Sequence, residues 1–348
     1  MNARRYPLFG LTALLVLALF LFLGGTGPDP VAYPITPVTL WGLTSEATLV
    51  VLADVTEVTE ATETGPTPLR DAPSSSRIGG PGSVAHLRVR EVWKGEAPAA
   101  IRVAFDPNYL CPAPPRYVAG KTVVAFLIDA DEVWETVALS YGTHYPAPGE
   151  TGDYRDRVRE ATALQSRSRL PDSERLDWLV RAASRRATRW DGLYELMPQG
   201  DSLHSSYDQE IDQRAGSAQL TETQYQKLAM AFVEQPSVDR TLPMFLSLFE
   251  GRPHHALDRA AMAALEGVLL RDRPPWWIGE AMELLLRRLG DPAPETRLAP
   301  LGETYDDKDM RSVREIWART KVELGLPEIP AIPGTPPEVG GVGSNTPS

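Results

Sequence analysis

The chain has 348 residues, of which 43% are hydrophobic and 23% charged, and its formal net charge is −11 at pH 7. This length suggests about two domains, and the composition is typical of folded globular proteins. The acidic balance argues against nucleic acid or anionic lipid as a partner held by bulk charge, and the single cysteine, Cys111, excludes an internal disulfide.

The first 27 residues have the layout of an export signal. Arg4 and Arg5 precede an apolar run, Leu8–Leu23, which is followed by the small residues Gly24–Gly27. A helix over these 16 residues would span about 24 Å, against a bilayer core of about 30 Å. Both a cleaved signal peptide and a retained anchor through residues 8–27 therefore stay open. In either case we expect an extracytoplasmic protein, periplasmic or at the cell surface.

A proline-rich spacer, 28–37, precedes a region of β character, 38–148. Pro, Gly and Ser are frequent in 61–83, which predicts a loop. Short apolar or alternating runs separated by turns predict a small antiparallel β-barrel, similar to the OB fold, or a sandwich. The predicted strands are Thr48–Val58, Val84–Trp93, Ile101–Phe105, Lys121–Ile128 and Val133–Leu139.

After Pro146 the apolar residues recur with a period of 3.6, which predicts an all-α domain over 155–325. Thr221 and Gln224 form a predicted capping box at the start of one helix. Short connections between helices favour antiparallel neighbours in a HEAT-like arrangement, although no constant repeat period is present. Residues 326–348 are predicted to be a disordered tail. The fold class expected is α+β multidomain, a small barrel followed by helices.

The β region resembles the netrin module, the OB-fold domain shared by tissue inhibitors of metalloproteinases (TIMP-like domains) and exported bacterial proteins. The resemblance covers about 38–145. It rests on Ala53-Asp54-Val55 in the first strand, on Val92-Trp93-Lys94-Gly95, on Cys111, and on Gly120 before an apolar strand. It implies a binding barrel. The animal inhibitors chelate a zinc ion through an N-terminal cysteine, and this chain has no cysteine near residues 28–35.

One motif suggests a hydrolase. Gly200-Asp201-Ser202-Leu203 spells the GDSL motif of a family of serine esterases, with Ser202 as the nucleophile. In that family the serine follows a buried strand and the histidine comes from a distant Asp-x-x-His. Here the motif follows a helical pattern, and the sole Asp-x-x-His is Asp201–His204, which overlaps the motif. A nucleophile and its base must converge from separate segments, so a turn after a helix is the favoured interpretation.

Other chemistry-bearing residues have structural interpretations that we favour. Adjacent histidines on a helix diverge by about 100°, so they poorly share a metal ion, and neither acidic cluster matches the 12-residue calcium loop. An arginine run is diluted by acidic residues and is expected to form a solvated helix face rather than an anion-binding patch. One tryptophan of a pair is expected in the core, and the lone cysteine is expected to be buried or capped. These candidates are His254 and His255; Asp129, Asp131 and Glu132; Asp306, Asp307 and Asp309; Arg167 to Arg189; Trp276 and Trp277; and Cys111.

We therefore expect a non-enzymatic exported protein with no catalytic, cofactor-binding or metal-binding residues. Its barrel would bind another envelope or extracellular protein, and its helices would serve as a scaffold. Two alternatives stay open, a hydrolase that uses Ser202 and a protease inhibitor that acts through the barrel.

Overall fold

The five predicted strands form because their apolar residues alternate, or run continuously, over five to eleven positions. The computed structural model describes residues 37–60, 82–108, 113–130, 133–197, 220–302 and 310–332. The strands in these residues are β1 (Leu49–Glu60), β2 (Ser83–Lys94), β3 (Ala100–Phe105), β4 (Thr122–Ala130), β5 (Val133–Thr136) and the short β6 (Thr143–His144).

Strands β1 to β5 close into a barrel. Their order around it is β1-β2-β3-β5-β4, and β4 pairs with β1 to complete the circle. The pairs are antiparallel except β3 with β5, which is parallel. The barrel is filled by alternate residues of the strands, among them Leu49, Val51, Leu87, Val103 and Val123. The predicted OB-like barrel is confirmed.

Two of the strands are buried on both sides. In β4, Val123 and Ala125 point into the barrel, whereas Val124 and Phe126 belong to a second core that extends through the helices. The same holds for β1, where Val50 and Leu52 face the helices. Burial on both faces explains the unbroken apolar sequence of β4, because neither face meets water.

One helix precedes the barrel and the others follow it. The first, α1, spans Leu40–Glu46. The following helices in the described residues are α2 (Thr151–Gln165), α3 (Asp172–Ala183), α4 (Arg189–Leu196), α5 (Glu222–Glu234), α6 (Thr241–Leu248), α7 (His255–Leu269), α8 (Ile278–Arg288), α9 (Pro294–Gly302) and α10 (Met310–Leu324).

The helices from α3 onward stack in two rows. Helices α3, α5, α7 and α10 contact one another in that order, and α4, α6, α8 and α9 form the second row. Stacked helix pairs of this kind are the architecture of α-solenoids. The predicted all-α region is confirmed, and the predicted capping box at α5 is present, with Thr221 and Gln224 satisfying each other's backbone N–H.

The barrel and the helices belong to one compact unit, Thr36–Ser348. The core that contains Val50, Val124 and Phe126 continues without a break to Trp317 in the last helix.

Among the described residues, no helix combines the length and apolar character required to cross a membrane. The predicted export segment, 1–27, and the spacer up to residue 36 lie outside those residues.

Candidate functional site

Strands β2 and β3 turn a polar row outward from the barrel. On β2 the outward side chains alternate with Leu87 and other interior residues, as the period of two requires. Arg102 on β3 lies opposite His86 in the strand register, and Ala100 lies opposite Arg88. The outward row comprises His86, Arg88, Arg90, Ala100 and Arg102; we call it the arginine face.

Asp54 of β1 holds two of these arginines side by side. Its carboxylate accepts from Arg88 Nη2 and Arg90 Nη2, each at 2.7 Å, and from the Thr122 hydroxyl at 2.8 Å. Hydrogen bonds from Arg88 and then Arg90 lower the pKa of Asp54 to about 2. The arginine side chains themselves stay 68% and 53% exposed. Two guanidinium groups are thus oriented by one ionised carboxylate while their outer edges face solvent.

The arrangement suits recognition of anionic groups. Guanidinium forks bind carboxylates or phosphates in bidentate fashion, and the arginine face presents two of them, Arg88 and Arg90, side by side on Asp54. The wall of the barrel formed by β1 and β4 is covered by the helices, since Val124 and Phe126 lie in the shared core. The arginine face is therefore on the exposed wall, where a partner has access to it.

A second polar cluster lies where α1 docks on the helices. The N–H of Leu40 donates to Asp191 Oδ1 at 2.7 Å, and the Thr39 hydroxyl donates to the carboxylate of Glu195. Arg175 Nη2 donates to the other oxygen of Glu195 at 2.6 Å. Asp191 and Glu195 lie on one face of α4 because they are four residues apart. Both acidic side chains are used to hold the beginning of α1.

Burial determines the charge state of this cluster. It raises the pKa of Asp191 to about 7, against the opposing effects of the Leu40 N–H and the Arg240 guanidinium. A carboxyl group that titrates near neutrality also occurs in active sites. Here Asp191 accepts from the backbone of α1 at Leu40, and the neighbouring Trp41 packs edge-on against Trp178 with 5.0 Å between ring centroids. The geometry indicates that Asp191 fixes the first turn of α1 on α4.

The Lys94-Gly95 pair has a structural role at the same corner. Lys94 Nζ donates to the carbonyl of Thr44 in the last turn of α1, at 2.5 Å. Gly95 has a φ of +76°, and a Cβ there would lie 2.4 Å from the carbonyl oxygen of Thr48. Only glycine fits this close approach. The motif therefore joins the turn after β2 to the α1–β1 connection, a role that the strand pattern alone did not indicate.

Several predicted candidates lie outside the described residues. These are Ser202 with the rest of Gly200–His204, Cys111, Asp131 and Glu132, and Asp306, Asp307 and Asp309. Asp129 is described, and it pairs with Trp134 in the β4–β5 hairpin. Among the described residues, no group of three His, Cys, Asp or Glu side chains could hold a metal ion.

The structure places the described candidates at helix starts, in the core and in ion pairs. His254 caps α7, with its Nδ1 accepting from the N–H of Leu257 at 3.1 Å, and His255 is the first residue of that helix. Trp277 is buried, whereas Trp276 is 42% exposed. Within the arginine run, Arg167, Arg175, Arg181, Arg185 and Arg186 form ion pairs.

Arg189, the last arginine of the run, is buried. It donates to the carbonyls of Ala183 and Gln235 and to the hydroxyl of Ser237. Burial lowers its pKa to about 10. The side chain links the α3–α4 pair to the segment before α6, so the expected solvated helix face is wrong at this position.

Comparisons of the sequence with protein-family models and with curated proteins found no match. The resemblance to the netrin module therefore stays an expectation about residues 38–145.

Proposed function

We propose that this chain is a non-enzymatic extracytoplasmic protein that binds an acidic segment of another envelope or extracellular protein on its arginine face. The observation that carries the proposal is the pair Arg88 and Arg90, oriented by Asp54 with their outer edges in solvent. The helical rows serve as a scaffold that covers the opposite wall of the barrel.

The charge of the chain supports an acidic protein as the partner. The protein as a whole is acidic, with a net charge of −11, so a large polyanion such as nucleic acid is repelled by the rest of the surface. A short acidic segment experiences chiefly the local guanidinium groups, because charges more than about 8 Å away are screened at physiological ionic strength. OB-like barrels use the strand β2–β3 wall for binding, although fold alone does not select the ligand.

The resemblance to inhibitor domains supports a binding role without supplying the inhibitory mechanism. A zinc-chelating N-terminal cysteine is missing from the sequence near residues 28–35. We therefore place protease inhibition through the barrel second to simple partner binding. The hydrolase alternative depends on Ser202, and a fluorophosphonate probe that labels Ser202 and fails to label S202A would establish it in place of our proposal.

The proposal is tested by placing a photo-crosslinking amino acid at Ala100, which is exposed and lies opposite Arg88. Irradiation of native envelopes is expected to give a covalent adduct with a partner protein. The same residue placed at Val322, which is 82% exposed on α10, serves as the positional control. An adduct that forms equally at both positions would contradict a specific site.

Charge reversal of the arginine face is expected to weaken this binding strongly. In R88E/R90E two favourable charges become repulsive, so we expect the affinity for the captured partner to fall at least tenfold, or about 1.4 kcal/mol. Binding of the unchanged chain should also weaken with added salt. R159E/R259E makes the same charge change at two exposed arginines of the helices and should retain affinity. Equal losses in the two double variants would refute a local arginine face.

A further inference from the structure

The segment after α10 packs against the helical stack. Residues 325–332 contain no helix or strand, yet Leu326, Ile329 and Ile332 pack against the core. The first part of the predicted disordered tail is thus seated on the protein, and 333–348 lie outside the described residues.

The seat is a close backbone contact with α7. The N–H of Ile332 donates to the carbonyl of Ala263 at 3.1 Å. A Cβ on Gly267 would lie 2.2 Å from the carbonyl oxygen of Ile332. Ala260, Ala263 and Gly267 occupy one face of α7 because they are three and four residues apart. Their small size allows the backbone of another segment to lie directly on the helix.

The seated segment has the periodicity of a polyproline II helix. Leu326, Ile329 and Ile332 recur every three residues, with Pro327 and Pro330 between them. Three residues complete one turn of that helix, so this spacing places three apolar side chains along one edge of any such helix. Proline also restricts φ before binding, which lowers the entropic cost of docking an extended segment.

Few buried contacts hold the tail, residues 325–332, on the helices. None of residues 325–332 is fully buried. Lys321 Nζ contacts Glu266 of α7 at 2.8 Å and Glu328 of the tail at 3.1 Å, but the Glu328 side chain is 87% exposed. Exposed ion pairs contribute little to stability. A segment with so few buried contacts opens locally at a small cost in free energy.

We propose that the face of α7 formed by Ala260, Ala263 and Gly267 is a binding site for an extended peptide with apolar residues every third position separated by prolines. The chain's own residues 326–332 occupy this site as a displaceable intramolecular ligand. The site is separate from the arginine face. A peptide of the same chemistry from a partner binds when the tail leaves.

The tail competes with an added peptide for the α7 face because the tail is covalently attached to the same chain. A ligand on a short tether acts at a millimolar effective concentration, so a peptide added in solution binds weakly to the unchanged chain. The affinity of the site is reduced by the fraction of molecules in which it is open. Release of the tail should therefore raise the affinity for an added peptide without any change in the site.

The test uses a fluorescein-labelled synthetic peptide of residues 325–333 (GLPEIPAIP) and the full chain. The variant I329D/I332D places two carboxylates where apolar side chains pack, which releases the tail. Fluorescence anisotropy is expected to show at least tenfold tighter peptide binding to this variant than to the unchanged chain. Adding G267A should abolish that binding, because the new methyl group occupies the position of the peptide backbone. G152A, where a Cβ meets only Arg155 at 3.8 Å, is the matched glycine-to-alanine control.

Two results would overturn the proposal. One is a folded I329D/I332D chain that binds the peptide no more tightly than the unchanged chain, and the other is G267A retaining peptide binding in that background. If I329D/I332D loses helical structure, G267A alone provides the test by hydrogen exchange. We expect the Ile332 amide to lose protection while the amides of α7 keep theirs, and unchanged protection of Ile332 would reject the site.

Discussion

Replacing Trp178 with alanine is expected to lower the free energy of unfolding by about 3–5 kcal/mol, the usual cost of deleting a buried aromatic side chain. Trp178 is completely buried. Its ring packs against Trp41 of α1, and its Nε1 donates to the carbonyl of Arg157 in α2 at 3.0 Å. The substitution therefore leaves a cavity at the place where α1, α2 and α3 meet.

We expect the same substitution to destabilise the barrel. Because one apolar core runs from Val124 and Phe126 of β4 to the helices, we expect the barrel and the helices to unfold in a single transition. Thermal unfolding of W178A, followed by circular dichroism, should shift downward by about 5–15 °C. Hydrogen exchange of the β4 amides should accelerate by the same free energy, although β4 is distant in sequence.

The chain provides a matched control. W276A removes the same side chain from a position that is 42% exposed, so we expect a loss of no more than about 1 kcal/mol. If W178A accelerates exchange in α2 and α3 but leaves β4 unchanged, the barrel and the helices are separate cooperative units. Equal losses for the two tryptophan variants would also contradict the packing described.

The sequence predicted the elements in which local pattern and burial agree. β4 was recognisable because an apolar run of that length suits a strand covered on both faces. The α5 start was recognisable because the capping box is a local signal, encoded by Thr221 and Gln224. In both cases the information lies within a few neighbouring residues.

The elements that were missed are held by contacts distant in sequence. Helix α1 has seven residues, which is too short to be stable by itself, and the side chains that hold its first turn, Asp191 and Glu195, lie more than 150 positions later. The sequence signal for this contact was a pair of acidic residues four positions apart in the largely apolar helix α4. The three-residue spacing of Leu326, Ile329 and Ile332 was likewise present, but a search for helix and strand periods does not detect it.

Two buried titratable groups give the protein opposed dependences on pH. His144 lies on β6 between Phe126 of β4 and Tyr154 of α2, with ring centroids 5.8 and 5.2 Å away. The residue as a whole is half-buried, and its Nε2 is buried without a hydrogen-bond partner. Burial lowers the pKa of His144 to about 4, although the carbonyl of Tyr141 opposes the shift. Asp191, whose pKa burial raises to about 7, faces Leu40, Glu195 and Arg240.

Whether each group makes stability rise or fall with pH depends on whether the folded or the unfolded chain binds more protons. Between pH 4 and 6.5 the unfolded chain protonates residue 144 while the folded chain does not, so this group makes stability rise with pH. Between pH 4 and 7 the folded chain protonates residue 191 while the unfolded chain does not, so that group makes stability fall with pH. At about 1.4 kcal/mol per pKa unit, the two contributions are about 3 and about 4 kcal/mol and nearly cancel.

Removing either group should therefore reveal the effect of the other group on the pH dependence of stability. We expect D191N to gain stability as pH rises from 4 to 6.5, because the effect of His144 is then unopposed. H144F should instead lose stability as pH rises from 4 to 7, because Asp191 must ionise in a buried site. Urea unfolding at intervals of half a pH unit measures both slopes, and the double variant D191N/H144F should show neither. Slopes of the same sign in the two single variants would mean that one of these side chains does not titrate in the folded protein as its surroundings require.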